Sequence, residues 1–183
     1  MKRTGILMGD LRERVAEDRG LLKRIQLHVP GFAGYRRRED LRQAENMLRI
    51  QMANNLKSAR ETTEEARELM VEENRYKELD RVGRVINRLR KLEGRVRHAE
   101  GGYTGISPAI RIEDAEINRL YEYDASLLDD ASALAEKSAA LKGVTGEAKE
   151  VRKRTKEIRS DLDAFEDTFE KRMLVVSDTE VAE

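Results

Sequence analysis

The sequence predicts an all-α fold, an antiparallel bundle of four to five long helices with coiled-coil-like seams. Composition is the first reason: 39% of the 183 residues are charged, only 4% are aromatic, and there are just two prolines. This composition is typical of long helices and differs from that of sheets, which favour β-branched and aromatic residues. The second reason is that apolar residues recur at spacings of three and four along most of the chain, which indicates amphipathic helices.

A flexible arm is predicted at residues 1–9 and a first helix at residues 10–28. Asp10 is a suitable N-cap, and Glu13 stands at the capping-box distance from it. Pro30 ends the helix, because proline lacks the backbone N–H that a helix interior needs. The apolar seam of this helix is formed by Leu11, Val15, Leu22, Ile25 and Val29.

A second helical pattern begins after Tyr35, and an unbroken helix from there to Glu100 would be about 98 Å long. The chain must therefore turn. One candidate is 58–65, where a threonine and a glutamate could form a capping box. The other is 72–76, which we favour because Asn74 tolerates the left-handed conformation that ends helices. The seam of helix 2 is formed by Leu41, Ala44, Leu48, Met52, Leu56, Ala59, Ala66, Leu69 and Met70.

Helix 3 is predicted over residues 76–100 and helix 4 over residues 113–142. Helix 4 has the most regular pattern, because its seam residues alternate spacings of three and four over three heptads, as in a coiled coil. Asp124 stands in this seam where an apolar residue is expected. The seam residues are Leu79, Val82, Ile86, Leu89 and Val96 in helix 3, and Ile117, Leu120, Asp124, Leu127, Ala131, Leu134, Ser138 and Leu141 in helix 4.

A tight turn at residues 143–146 is predicted to join helix 4 to an antiparallel helix 5 that runs to about Leu174. Residues 10–176 then form a single helical-bundle domain whose five helices alternate in direction. Residues 177–183 are predicted to be a disordered acidic tail. The seam of helix 5 is formed by Val151, Thr155, Ile158, Leu162, Phe165 and Phe169.

Charge is distributed unevenly, although the formal net charge is zero. Residues 80–97 carry seven basic and two acidic side chains, whereas residues 113–136 carry eight acidic side chains and one basic. We expect helices 3 and 4 to lie side by side and neutralise each other, because charge complementarity selects helix pairs. The alternative is a nucleic-acid surface, which requires an exposed basic face. That face would consist of Arg84, Arg88, Arg95 and Arg97.

Two glycine-flanked aromatic loops, at residues 30–35 and 101–105, are expected to meet at one pole of the bundle. Glycine permits close backbone approach, so the aromatic side chains can close the end of the bundle. The alternative is an anion site built from backbone N–H groups and the arginines at 36–38, and we favour closure. The candidate functional pole contains Phe32, Gly34, Tyr35, Arg36, Arg38, Gly102, Tyr103, Gly105, Tyr121, Glu122 and Asp124.

Asp124 is expected to be buried and therefore to have a cationic or hydroxyl partner, since an isolated buried charge is strongly unfavourable. The candidate partners are an arginine at 36–38, an arginine of helix 3 or a tyrosine hydroxyl. We favour a polar pair that fixes the helix register over a catalytic or ligand-binding role. Glu122 is two residues from Asp124 and faces another way, which disfavours a carboxylate pair for metal or acid–base chemistry.

No catalytic, cofactor-binding or metal-binding residues are predicted, and we expect neither a cofactor nor enzymatic activity. The absence of cysteine excludes a thiolate ligand or thiol nucleophile. His28 and His98 lie near helix ends without a glutamate three residues before them, so each is expected to bond carbonyl groups or solvent. The sequence contains no apolar run long enough for a transmembrane segment, and a cytoplasmic location is expected.

Three short motifs stand out: P-G-F-A-G-Y-R at residues 30–36, G-Y-T-G-I at residues 102–106 and L-Y-E-Y-D at residues 120–124. Over residues 22–135 the chain resembles a group of uncharacterised helical proteins of prokaryotes. In that group P-G-[FY]-x-G-Y-[KR] precedes a long helix, and Y-G-Y-x-G precedes an acidic helix containing L-Y-E-x-D. This chain departs from the second motif by having Gly-Gly-Tyr. The resemblance implies architecture only, namely the paired loops and the turn at 72–76.

The favoured function is a non-enzymatic helical interaction or scaffold protein with an unidentified protein partner, and it includes self-association through exposed seams. One alternative, which we favour less, is a nucleic-acid- or ribosome-associated protein that uses the basic face of helix 3. Another is a peripheral membrane protein anchored by residues 1–9. That arm carries two basic and several apolar side chains but is short for stable attachment.

Overall fold

The computed structural model describes residues 19–32, 38–99 and 114–181, and these residues form no strand. The predicted all-α bundle is confirmed. In chain order, the helices are α1 (which includes residues 19–28), α2 (Arg38–Glu72), a short 3-10 turn (Tyr76–Glu78), α3 (Leu79–His98), α4 (Asp114–Lys142) and α5 (Ala148–Val181).

Two helical hairpins make up the bundle. Helices α2 and α3 form one and α4 and α5 form the other, and α2 packs against α4 while α3 packs against α5. Both hairpin turns lie at the same end, where Arg75 Nη1 donates a hydrogen bond to the carbonyl oxygen of Gly146. We call this the turn end. At the opposite end Arg172 contacts Asp124 and Glu45, and we call it the Arg172 end. The α2–α4 and α3–α5 pairs are therefore parallel, although the helices within each hairpin are antiparallel.

The expectation that the basic helix α3 lies beside the acidic helix α4 is wrong. These helices are diagonal to each other, and α3 instead contacts α2 and α5. Acidic side chains of α4 find partners elsewhere, since Asp129 of α4 contacts Arg24 and His28 of α1. The physical reason is that exposed ion pairs contribute only about 0–1 kcal/mol each, which is less than burial of one large apolar side chain. Apolar packing therefore decides which helices are neighbours.

The seams predicted for α4 and α5 face the core. The sequence missed further core positions, such as Val85 and Leu92 of α3 and Ala125 and Leu128 of α4. They were missed because a helix with two or more neighbours buries a wider stripe than a two-helix seam does. The described seam positions, all of which are buried, are Leu120, Asp124, Leu127, Ala131, Leu134, Ser138 and Leu141 in α4, and Val151, Thr155, Ile158, Leu162, Phe165 and Phe169 in α5.

The favoured turn at residues 72–76 is confirmed. Helix α2 ends at Glu72, and Asn74 is left-handed with a φ of 57°. Arg75 N donates to the carbonyl oxygen of Met70 at 2.7 Å, so the turn satisfies backbone groups at the end of the helix. The side chain of Asn74 accepts a hydrogen bond from the Tyr76 hydroxyl at 2.7 Å.

The predicted disordered tail is wrong for residues 177–181, because α5 continues as a helix to Val181. The sequence has neither proline nor glycine after Gly146. Once a helix is nucleated, each further residue adds a backbone hydrogen bond at little cost, so α5 extends beyond its packed seam. The predicted arm at residues 1–9 and the predicted helical residues 10–18 lie outside the described residues.

Replacing Asn74 by alanine is expected to lower the free energy of unfolding by about 1 kcal/mol, because alanine lacks the short polar side chain whose local hydrogen bonds let asparagine adopt the left-handed conformation. Asn74→Gly is the matched control, since it also removes the contact with the Tyr76 hydroxyl but tolerates a positive φ. Urea unfolding would measure both variants. Equal stability of the alanine and glycine variants would contradict a left-handed residue at this turn.

Candidate functional site

The described part of the candidate functional pole lies at the Arg172 end. It consists of Phe32, Tyr121, Glu122 and Asp124, together with the backbone of Arg38, the first residue of α2. Phe32 follows α1, whereas Tyr121, Glu122 and Asp124 lie on α4. The six remaining members of the predicted pole lie outside the described residues: Gly34, Tyr35, Arg36, Gly102, Tyr103 and Gly105.

Phe32 closes part of the Arg172 end. Its side chain is 1% exposed, and its ring meets that of Tyr121 edge-on, with ring centroids 6.5 Å apart and an interplanar angle of 90°. Gln26 Nε2 donates to the carbonyl oxygen of Phe32 at 2.8 Å, which holds the chain after α1 in place. The buried ring of Phe32 therefore packs inside the bundle, which agrees with the favoured interpretation of the loop at residues 30–35.

A buried ionic cluster, which we call the Arg172 cluster, joins Arg172 of α5, Asp124 of α4 and Glu45 of α2. Arg172 Nε donates to Asp124 Oδ1 at 2.5 Å, and Arg172 Nη1 donates to Glu45 Oε1 at 3.2 Å. Asp124 is fully buried, and the Arg172 side chain is 7% exposed. The predicted burial and cationic partner of Asp124 are thus confirmed.

Arg172 was not among the predicted partners of Asp124, which were an arginine at 36–38, an arginine of helix 3 or a tyrosine hydroxyl. A signal was present, because Arg172 continues the helix 5 seam at the next spacing of three after Phe169. An arginine at such a position is expected to extend its charged group to solvent. Here the guanidinium remains inside, because two carboxylates of neighbouring helices contact it.

The arrangement around Asp124 favours a structural role over chemistry. Glu122 is exposed whereas Asp124 is buried, so the two carboxylates face different ways, as predicted. A guanidinium already occupies the Asp124 carboxylate, and a charge-assisted pair of this kind is strong and directional. Among the described residues no group of three or more histidine, aspartate and glutamate side chains could hold a metal ion.

The predicted basic face of α3 is largely neutralised by carboxylates. Arg88 contacts Asp163 and Glu166 of α5 at 2.7 and 3.1 Å. Arg95 contacts Glu170 of α5 and also lies over the Phe169 ring, with its Cζ atom 6.0 Å from the centroid. The remaining two arginines of this face differ: Arg97 contacts Glu93 of its own helix, and Arg84 is exposed without a carboxylate partner among the described residues.

Glu78 is a second buried carboxylate, which the sequence analysis did not identify. Its side chain is 6% exposed at the start of α3, where Arg152 of α5 donates to it at 2.7 Å and Arg81 at 3.2 Å. Burial alone would raise the pKa of Glu78, but the hydrogen bonds from Arg152 and Arg81 outweigh burial, so the pKa lies below its ordinary value. Glu78 is therefore a charged bridge between α3 and α5.

His28 contacts a carboxylate rather than the carbonyl groups or solvent that the sequence predicts. Its Nε2 lies 2.7 Å from Asp129 Oδ1 on α4, and Arg24 contacts the same carboxylate. Burial would raise the pKa of Asp129, but hydrogen bonds from His28 and Arg24 outweigh burial and lower it. His28 therefore contributes to the contact that holds α1 against α4.

Comparisons of the chain with protein-family models, with curated proteins and with solved structures find no match. The resemblance over residues 22–135 therefore stays a prediction. Within the described ranges, no helix is both long and apolar enough to cross a membrane.

Replacing Arg172 by methionine is expected to lower the free energy of unfolding by about 3–5 kcal/mol, because Asp124 would be left charged and buried. Arg95→Met is the control, since Arg95 pairs with Glu170 at an exposed site and its loss should cost less than about 1 kcal/mol. Urea unfolding at neutral pH measures both. A loss below about 1 kcal/mol for the Arg172 variant would contradict a buried ionic cluster.

The Glu78→Gln variant should show the pH dependence of the Glu78 bridge. Because the pKa of Glu78 is lowered in the folded protein, its contribution to stability is fully present above the unfolded pKa of about 4.3. The contribution is lost as the pH falls through the folded pKa. The stability difference between wild type and this variant should therefore shrink in acid, as measured by urea unfolding at several pH values. A difference independent of pH would contradict the lowered pKa.

Proposed function

We propose that this protein is a non-enzymatic helical interaction protein that self-associates through apolar side chains near the Arg172 end. The observation that carries this proposal is the exposure of Leu27, Met47, Ile50 and Leu174, which are 77%, 40%, 45% and 61% exposed. Contiguous exposed apolar patches are typical of surfaces that bind other proteins, and Met47 and Ile50 are adjacent on α2. Exposing apolar side chains to water is unfavourable in free energy, and a partner that covers them removes this unfavourable term.

These side chains belong to the same half of the bundle. Met47 is two residues from Glu45, and Leu174 is two residues from Arg172, so both lie near the Arg172 cluster along the bundle axis. Leu27 precedes His28, which contacts Asp129 of α4. Ile50 follows Met47 by three residues and is therefore its neighbour on the outer face of α2. An interface on this face of α2 would bury Met47 and Ile50 together.

The polar groups of the described residues support an interaction role over catalysis. The buried carboxylates Asp124 and Glu78 both accept hydrogen bonds from arginines, and Asp129 contacts His28. General acid–base and nucleophilic catalysis require a side chain that can reach a substrate. A carboxylate held by a guanidinium in a packed bundle serves stability instead.

The two alternatives receive less support. Carboxylates pair with three of the four arginines of the α3 face, which lowers the positive potential that a nucleic-acid surface needs there. The membrane alternative depends on residues 1–9, which lie outside the described residues. The cytoplasmic location stays an expectation.

The Ile50→Glu variant tests self-association, because a charge placed in an apolar interface weakens it. Val71→Glu is a matched control: Val71 lies on the same helix, at the turn end, and is 42% exposed compared with 45% for Ile50. Sedimentation equilibrium over a range of protein concentrations would measure the dissociation constant. We expect a weakening of at least about tenfold for Ile50→Glu and little change for Val71→Glu.

A wild type that stays monomeric at every concentration would overturn the self-association proposal. Equal weakening by both variants would also overturn it, because the effect would then come from added negative charge and not from the surface near the Arg172 end. Circular dichroism of each variant establishes that the helices are retained.

A further inference from the structure

The surface between α3 and α5 at the turn end forms an open groove of about 630 Å³, which we call the α3–α5 groove. Four cationic side chains line it and only one carboxylate does. Its lining residues are Arg81, Arg152, Lys156, Arg159, Ser160 and Asp163. The basic face predicted from the sequence lies farther along α3 and does not include the three cations that α5 contributes.

The positive charge of this groove is only partly neutralised. The buried carboxylate of Glu78 forms ion pairs with both Arg81 and Arg152, so one negative charge neutralises only one of these two positive charges. Asp163 is directed to Arg88, which approaches it at 2.7 Å. Two groove cations, Lys156 and Arg159, have no carboxylate within ion-pair distance among the described residues. The same holds for Arg84, a nearby exposed arginine on α3.

The fold adds to this positive potential. Helices α3 and α5 run parallel, so both begin at the turn end, beside the groove. The N-terminus of a helix carries a partial positive charge of roughly +0.5 that acts within about its first turn, so it adds to the potential near Arg81 and Arg152. The Arg172 end of the same pair of helices differs, because Glu166 and Glu170 of α5 pair with Arg88 and Arg95.

The geometry of the cations favours an extended anion over a single small one. Arg152, Lys156 and Arg159 follow one face of α5 at spacings of four and three, which spans about 10 Å along the helix axis. A duplex nucleic acid presents one phosphate charge per roughly 1.7 Å of its axis, so several phosphates could face this row. The described residues that line the groove include no aromatic side chain, so they offer no platform for the base stacking that holds single strands.

We propose that the α3–α5 groove binds the phosphate backbone of a nucleic-acid duplex without reading its base sequence. Lys156 and Arg159 make the phosphate contacts, and Arg152 and Arg81 extend the row. The Ser160 hydroxyl lies in the same groove and can donate to a phosphate oxygen. This function is separate from self-association, because the apolar side chains near the Arg172 end are not part of the groove.

Fluorescence anisotropy with labelled duplex DNA and duplex RNA, measured over a series of potassium chloride concentrations, tests this proposal on the full chain. We expect binding that weakens steeply with salt, because phosphate contacts release counterions. The double variant Lys156→Glu/Arg159→Glu should lower the affinity by about tenfold or more at low salt. It should also reduce the slope of log affinity against log salt by about two, roughly one unit for each phosphate that the variant no longer neutralises.

The matched control is the double variant Lys23→Glu/Lys171→Glu, which changes the net charge equally at exposed positions outside the groove. It should change the affinity less than about twofold. Equal loss in the two double variants would overturn the proposal, since the binding would then follow net charge alone. Absence of duplex binding by the wild type at low salt would overturn it as well.

Two further probes distinguish other anions. Vesicles of phosphatidylcholine and phosphatidylserine test a membrane surface, and binding to them without binding to duplexes would overturn the proposal. Inorganic tripolyphosphate tests a small-anion site, and capture of that ion alone would also overturn it. Competition of tripolyphosphate with a bound duplex, abolished in the Lys156→Glu/Arg159→Glu variant, would support it.

Discussion

The contact of Arg172 with Asp124 and Glu45 is the constraint on which the Arg172 end of the bundle depends. One guanidinium links α5 to both α4 and α2, and therefore connects the two hairpins through their interior. A displacement of α5 by one turn, about 5.4 Å, would separate these groups and leave buried charges unpaired. Apolar side chains tolerate such shifts far better, because dispersion and burial have no fixed partner. The cluster therefore specifies the register in which the helices pack.

The same arrangement of hairpins explains why arginines of α3 meet carboxylates of α5 toward one end and cations of α5 toward the other. Because α3 packs against α5, the arginines of α3 contact the α5 side chains that lie at the same height along the bundle axis. Toward the Arg172 end, α5 presents Glu166 and Glu170, which neutralise Arg88 and Arg95 of α3. Toward the turn end it presents further cations. The cationic groove at the turn end follows from this arrangement.

The periodicity of the sequence predicts most of the secondary structure and most core positions, because both depend on spacing along a single helix. The turn at Asn74 was predictable for a similar local reason, namely its tolerance of a positive φ. Helix neighbours were not predictable from charge: apolar surfaces decided the pairing, and α3 and α4 became diagonal. Arg172 and Glu78 were missed because a charged residue is normally assigned to the surface. Only the partners that other helices bring to them make their burial tolerable.

The separation in sequence within the Arg172 cluster has a consequence for the order in which this protein can assemble during synthesis. Glu45 and Arg172 are 127 residues apart, whereas Asp124 and Arg172 belong to one hairpin and are 48 apart. The ribosome makes the chain from its N-terminus, so both carboxylates exist before their arginine does. Until α5 has been synthesised, Glu45 of α2 and Asp124 of α4 lack the arginine that neutralises them in the folded protein. The Arg172 end in its observed form is thus a late product of synthesis, whereas every residue of the α2–α3 hairpin is made before α4.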